Sequence, residues 1–448
     1  MTKQQRLVLI IAIFASFLTF LDGSVVNVAL PAIDNELGGG LATQQWVSDA
    51  YLVTLGALIL VAGALSDVFG RKRILIWGII GFCVASIVCA AAINTPMLII
   101  ARALQGVFGA LLVPSSLALI ISYFNGGAEA KAIGTWTGWT GIAYIIGPLV
   151  GGLLIDTLSW RAVFVINIIP TIVTLWLIRR LPTDVPSRHT SIDWIGAVLC
   201  TTGLAGTVYA LIEQPKFGWN DPLIFWPLVC GITALIAFLW WERRTPKPML
   251  PLELFKIHNF SIGNLATTSI YAGLSVATFL IIIFVQQVGH YPAFVAGLTV
   301  LPVTIIMFFL SPRFGALAGR FGPRFFMAMG PTIAAVGFLS FLRVDSEINY
   351  WTQLLPGILL FGLGLSMTVA PLTAAVLSDI SKQHAGIGSA VNNAIARIAG
   401  LVAIASIGLI IGSSVTLDGF HHGVVAMSLL LFAGGIISAI GIRNPATK

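Results

Sequence analysis

The sequence predicts an all-α polytopic membrane protein of two six-helix bundles with two inserted helices, about 14 transmembrane helices in all. Three observations carry the prediction. The composition is 57% hydrophobic and 9% charged over 448 residues, with a mean hydropathy of +0.97, which a soluble domain of this length does not sustain. About fourteen apolar runs are each long enough for a helix rising about 1.5 Å per residue to cross about 30 Å of hydrocarbon. A basic hairpin, Gly63-Ala64-Leu65-Ser66-Asp67-Val68-Phe69-Gly70-Arg71-Lys72-Arg73, returns in weaker form as Gly315-Ala316-Leu317-Ala318-Gly319-Arg320-Phe321-Gly322-Pro323-Arg324. The offset is 315 − 63 = 252 residues, which indicates two related bundles.

The runs are 7–30, 45–66, 74–93, 97–121, 131–155, 161–178, 192–212, 222–241, 261–286, 294–318, 325–342, 351–377, 386–411 and 423–442. Lys3 and Arg6 precede the first like a signal peptide, but the run continues through Asp22 and Asn27 with no small-residue cleavage site. It reads as a retained first helix. Six spans make an N-terminal bundle over 1–180, two inserted spans with linkers occupy 181–258, and six spans make a C-terminal bundle over 259–448. The linkers are the polar segments Arg179-Arg180-Leu181-Pro182-Thr183-Asp184-Val185-Pro186-Ser187-Arg188 and Glu242-Arg243-Arg244-Thr245-Pro246-Lys247-Pro248, suited to tether moving bundles without entering lipid.

Cytoplasmic loops collect Lys and Arg. Threading fourteen spans from a cytoplasmic N-terminus puts 18 of the 24 Lys and Arg on the cytoplasmic side, three outside (Arg161, Lys216, Arg343) and three within spans (Arg102, Arg313, Arg397). Both termini are therefore expected in the cytoplasm. The net charge of +7 follows from topology and headgroup contact, and nucleic acid is not called for. Cys83, Cys89, Cys200 and Cys230 lie in apolar runs without metal spacing and read as core residues. No P-loop lysine motif, HExxH or nucleophile elbow is present, so no enzyme, cofactor or metal site is expected. Uphill movement would draw on an ion gradient.

Asp22 lies midway to two-thirds along the first helix, where an unpaired carboxylate costs several kcal/mol to keep charged, so it is expected to exchange a proton. The alternative is a carboxylate that locks helix packing. Arg102, a few residues into the fourth helix, is its natural counter-charge or else a snorkelling arginine. Asp49, in Trp46-Val47-Ser48-Asp49-Ala50-Tyr51, could hold a lipophilic cation with its aromatic neighbours, or belong to an interfacial belt. Asn27, Trp136, Trp139, Tyr144, Gln286, Gln287, Asn392 and Asn393 are further cavity candidates, any of which could instead bind helix to helix. In the hairpins, Gly63, Gly70, Gly315 and Gly322 allow close approach and tight turns. Asp67, Arg71 and Arg320 supply charges for a cytoplasmic latch made in one conformation only. In the fifth helix Gly134, Gly138, Gly141, Gly147, Gly151 and Gly152 place small residues where bundles would pack tightly, and Pro148 would bend it.

These residues resemble the major facilitator superfamily and, within it, the fourteen-helix drug:proton antiporters. The first hairpin looks like the superfamily's loop between helices two and three. Leu21-Asp22-Gly23-Ser24-Val25-Val26-Asn27-Val28-Ala29-Leu30-Pro31 is similar to the helix-one motif of the fourteen-helix branch, and Arg102-Ala103-Leu104-Gln105-Gly106 to the helix-four motif. Gly147-Pro148-Leu149-Val150-Gly151-Gly152 resembles the helix-five antiporter motif. The likeness continues through Trp160-Arg161-Ala162-Val163-Phe164-Val165-Ile166-Asn167 and Pro248-Met249-Leu250-Pro251-Leu252-Glu253-Leu254-Phe255, so it spans most of the chain. Ala143 stands where the helix-five motif repeats glycine, Gly319 replaces an acid in the second hairpin, and spans ten and thirteen lack the carboxylate of relatives that handle dications.

The resemblance implies a major facilitator fold in the cell (cytoplasmic or inner) membrane and a monomer that partners with protons, membrane lipids and a small amphiphilic substrate. It implies multidrug efflux of hydrophobic or monocationic amphiphiles in exchange for protons, with Asp22 and Arg102 coupling, Asp49 as in exporters of organic cations, and the helix-five motif sealing the outward path. An exporter or flippase of a lipid, cell-envelope precursor or metabolite would use the same fold, and a receptor or scaffold would bind without flux. Asp22→Asn is expected to abolish proton-driven flux and leave expression intact.

Overall fold

The computed structural model describes residues 1–125, 127–182, 192–345, 347–380 and 385–444, with the side chains of residues 67, 127, 130, 144, 145, 385 and 386 left aside. All regular structure among these residues is helical. The first half holds α1 (Lys3–Leu37), α2 (Gly40–Phe69), α3 (Arg71–Ala90), α4 (Thr95–Tyr123), α5 (Gly127–Thr157), α6 (Ala162–Val165) and α7 (Ile168–Ile178). Then come α8 (Trp194–Phe217) and α9 (Pro222–Glu242). The second half holds α10 (His258–Gln287), α11 (Ala293–Thr299), α12 (Leu301–Phe321), α13 (Pro323–Leu339), α14 (Leu355–Leu377), α15 (Ala385–Ile411) and α16 (Leu417–Gly441).

Thirteen helical stretches are long and apolar enough to cross a membrane, and the sixth expected span is the shorter apolar stretch Ala162–Ile178. That span is broken between α6 and α7, which leaves Asn167 at the start of the second piece. Helix starts are chemically marked. Thr2 Oγ1 accepts the Gln5 N–H at 3.2 Å while Gln5 Oε1 accepts the Thr2 N–H at 2.9 Å, a reciprocal cap on α1. Asn94 caps α4 and Thr416 caps α16 through their side chains. Proline lies inside α1, α4 and α5 at Pro31, Pro114 and Pro148, which membrane helices tolerate when neighbours satisfy the freed carbonyls.

The chain forms two compact units, one of Met1–Thr207 with Leu228–Met249, the other of Val208–Pro227 with Leu250–Lys448. The inserted helices are thus divided between them. In the first unit, α4 packs on α2 and α3, and α1 packs on α5 and α4. In the second, α10 packs on α15 and α16, and α14 on α12 and α13.

The repeated hairpins have one backbone solution. Gly70 (φ 94°) and Gly322 (φ 88°) each end one helix and begin the next as its single connecting residue. A positive φ there favours glycine over any residue bearing a Cβ. Lys72 Nζ donates to the Leu181 carbonyl beside the first turn. At the second, Asn444 Oδ1 accepts the Arg324 N–H at 3.1 Å, and Arg324 Nε donates to the Ala439 carbonyl at 2.6 Å. The Asp67 side chain and residues 183–191 of the first linker lie outside what is described.

Candidate functional site

Helix α1 carries Asp22 with no solvent exposure, and α4 brings Arg102 to it directly: Arg102 Nη1 donates to Asp22 Oδ2 at 2.6 Å. Gln105, three residues on and therefore on the same face of α4, donates through Nε2 to Asp22 Oδ1 at 2.8 Å. Asn167, at the break between α6 and α7, donates through Nδ2 to the same oxygen at 3.0 Å. Three donors thus saturate one carboxylate.

The guanidinium is held as closely. Its Nε donates to the Val47 carbonyl of α2 at 2.9 Å and Nη1 to Gln105 Oε1 at 2.6 Å. The Tyr51 ring covers it at 4.4 Å and Phe164 stands at 5.8 Å. Ser86 Oγ of α3 accepts from Gln105 Nε2 at 2.8 Å and from Asn167 Nδ2 at 3.3 Å. Arg102 is 1% exposed, and Gln105 and Asn167 are fully enclosed. Desolvating two charges is expensive unless the pair is close and its remaining valences are bonded. Both conditions hold.

Glycine makes the approach possible. A Cβ on Gly106 would collide with the Tyr51 carbonyl and Thr54 Oγ1, and Thr54 Oγ1 itself donates to the Ala103 carbonyl at 2.8 Å, so α2 and α4 run in backbone contact beside Arg102. Behind Asp22, a Cβ on Gly147 would strike Ser24 Oγ, and one on Gly151 would lie 3.0 Å from Val25 Cγ1. Ser24 Oγ also reaches the Ala143 carbonyl at 3.3 Å, so the alanine departure costs the motif no contact. The helix-five motif therefore packs α5 on the helix that carries Asp22. One expectation is corrected here: among the described residues nothing lies within 4 Å of a Cβ on Gly134, Gly138 or Gly141, so close packing is confined to the later glycines.

The other expected residues scatter. Asp49 is fully buried on α2, and among the described residues neither carboxylate oxygen has a hydrogen-bond partner. Tyr51 is committed to Arg102, while Trp46 and Asn27 are half-buried. Trp136 Nε1 donates to Ser16 Oγ at 2.9 Å, tying α5 to α1, and Trp139 is 48% exposed. The Tyr144 side chain lies outside what is described. In the second unit Gln286 and Gln287 are half-buried at the end of α10. Asn392 Nδ2 donates to Asn264 Oδ1 at 3.0 Å and Thr267 Oγ1 at 2.9 Å, which binds α15 to α10, and Asn393 Oδ1 accepts from Arg397 Nε at 3.1 Å. Gln105 and Asn167 were not expected at the site. The signal for Gln105 was its i+3 spacing from Arg102, whereas Asn167 depends on a helix break that hydropathy does not reveal.

Comparison with known proteins agrees with this architecture. The chain is 34% identical over 416 residues to the methylenomycin A resistance protein of Bacillus subtilis (strain 168), covering 91% of this chain and 88% of that one. It is 33% identical over 448 residues to the puromycin resistance protein of Streptomyces alboniger, covering 96% and 88%. A crystal structure of a D-xylose-proton symporter superposes with a TM-score of 0.70 over 98–99% of a chain's length, 99% of each, at 15% identity, a likeness of fold alone. Residues 12–404 match the family described as the Major Facilitator Superfamily, and the chain, a multi-pass membrane transporter with drug-resistance relatives, belongs to it.

Proposed function

We propose that this protein is a proton-coupled antiporter that exports amphiphilic compounds of the drug class across the cell membrane by alternating access. One observation carries the reading: a carboxylate and a guanidinium in direct contact, enclosed at membrane depth, bonded by residues from α1 to α4 and α7. Proton uptake by Asp22 removes the charge that holds Arg102, so it weakens the one ion pair in the network and loosens helices that the pair ties together. Proton loss restores the pair. A site with two arrangements whose balance depends on one proton is what coupling needs. The drug-resistance relatives support the cargo class. With the N-terminus in the cytoplasm, each proton entering down 100 mV supplies about 2.3 kcal/mol, enough for a gradient near fiftyfold by the rule of about 1.4 kcal/mol per decade.

The test is purified protein in liposomes under an imposed pH gradient, with lumenal pH followed as methylenomycin A, puromycin or ethidium is added. Wild type is expected to move protons when a transported compound arrives. Flux that proceeds with no proton movement would refute coupling.

A further inference from the structure

The spanning helices of the second unit carry their charge differently from those of the first. Where Arg102 meets Asp22, charge is balanced within the unit. Between His258 and Gly441 the arginines placed away from helix ends are Arg313 on α12 and Arg397 on α15. The carboxylates of that stretch fall at Asp345, Glu347 and Asp379, outside the α-helices, and at Asp418 in the first turn of α16. The interior of the second unit is therefore electropositive.

Arg397 stands twelve residues beyond Ala385 in a 27-residue helix, so about 18 Å along a helix of roughly 40 Å. That is its midpoint, beyond easy snorkelling reach of either end. An arginine at helix centre costs about 2.5–3.5 kcal/mol on insertion scales and marks a functional site by default. Its setting is built. Asn392 and Gly400 fix α15 against α10, the first through Asn264 and Thr267, the second through the room it leaves for Ser275. Asn393, on the adjoining face, accepts Arg397 Nε at 3.1 Å, so the guanidinium is held by its inner edge and aligned along the helix. The outer fork is the edge that meets a carboxylate two-pronged. Arg313 shares an exposed stripe of α12 with Ile305 and Phe309, one turn apart each, which is apolar surface beside positive charge.

We propose that Arg397 recognises an acidic group, a carboxylate or phenolate, on the exported amphiphile, with Arg313 adding to the same attractive field. The proposal rests on the export reading and revises the sequence-based expectation of a monocationic cargo, because a lipophilic cation would meet like charge in this unit.

Three probes with one aromatic body decide it: 1-pyrenebutanoate, 1-pyrenebutanol and 4-(1-pyrenyl)butyltrimethylammonium. Binding to protein in nanodiscs is read by energy transfer from tryptophan, and flux in proteoliposomes. Wild type is expected to bind the acid at least tenfold more tightly than the alcohol, and the ammonium most weakly. Arg397→Gln is expected to bring acid and alcohol to parity, and Arg397→Lys to keep part of the preference. Equal or tighter binding of the alcohol or the ammonium by wild type overturns the proposal, as does an acid preference that survives Arg397→Gln. If Arg397→Gln does not fold, Asn393→Ala is expected to lower the acid's advantage several-fold, and an unchanged advantage overturns the proposal. Arg397-dependent acid binding without flux of any probe would keep this recognition and refute export. Flux indifferent to probe charge would keep export and refute recognition.

Discussion

Asp22 and Arg102, eighty residues apart in the chain, touch at 2.6 Å with almost no exposure of either side chain. The contact brings α1 against α4 at the depth where charge is most costly, and the network around it reaches α2, α3 and α7. A proton carrier in this protein is therefore also a structural tie.

Removing one partner strands the other. Asp22→Asn and Arg102→Gln are each expected to destabilise by about 3–5 kcal/mol, which revises the expectation that Asp22→Asn leaves expression untouched. The double variant is expected to be less destabilised than the sum of the two. Thermal unfolding of the four proteins in one detergent measures this, and additive losses would mean that the pair contributes no coupling.

Gln105→Ala is expected to lower stability more than Asn167→Ala. Gln105 bonds Asp22, Arg102 and Ser86, whereas Asn167 bonds Asp22 and Ser86 only. Each lost bond to a charged group contributes about 1.5–3 kcal/mol. The same unfolding assay ranks them, and the reverse order would contradict the bonding assigned here.

Gly70→Ala and Gly322→Ala place a Cβ where φ is 94° and 88°. Each is expected to cost about 1–2 kcal/mol, with Gly322→Ala the worse because its Cβ would meet the Asn444 side chain. Slower transport with unchanged equilibrium binding is the accompanying expectation for Gly70→Ala, measured by initial flux against a binding isotherm.

Gly147→Val is expected to separate α5 from α1 by collision with Ser24 and to abolish flux, while Gly134→Ala, with open space at its Cβ, is expected to leave flux within about twofold. Equal tolerance at both positions would remove the packing role assigned to the helix-five motif.

Much of this was readable beforehand for physical reasons. Lipid demands uninterrupted apolar length, so spans announce themselves by hydropathy. The 252-residue offset between the hairpins reappears as Gly70 and Gly322, because a one-residue helix connection needs positive φ. Asp22 and Arg102 stood out since charges are rare in such helices. What stayed hidden depended on tertiary contact. Asn167 reaches Asp22 only because the sixth span breaks, and Trp136 bonds Ser16 instead of facing a cavity. Tyr51, expected beside Asp49 as a cation ligand, turns to Arg102. Helix faces are not written in an all-apolar sequence, where hydrophobicity does not say which side meets protein.

The most direct test of coupling is the proton count at Asp22 itself. Proteoliposomes of wild type and of the Asp22→Asn/Arg102→Gln double variant, which keeps the site free of net charge, should be loaded with one transported compound and followed for lumenal pH and compound efflux together. Wild type is expected to exchange protons for compound, and the double variant to show downhill flux at most, without proton movement. Proton-driven accumulation that persists in the double variant would contradict the account.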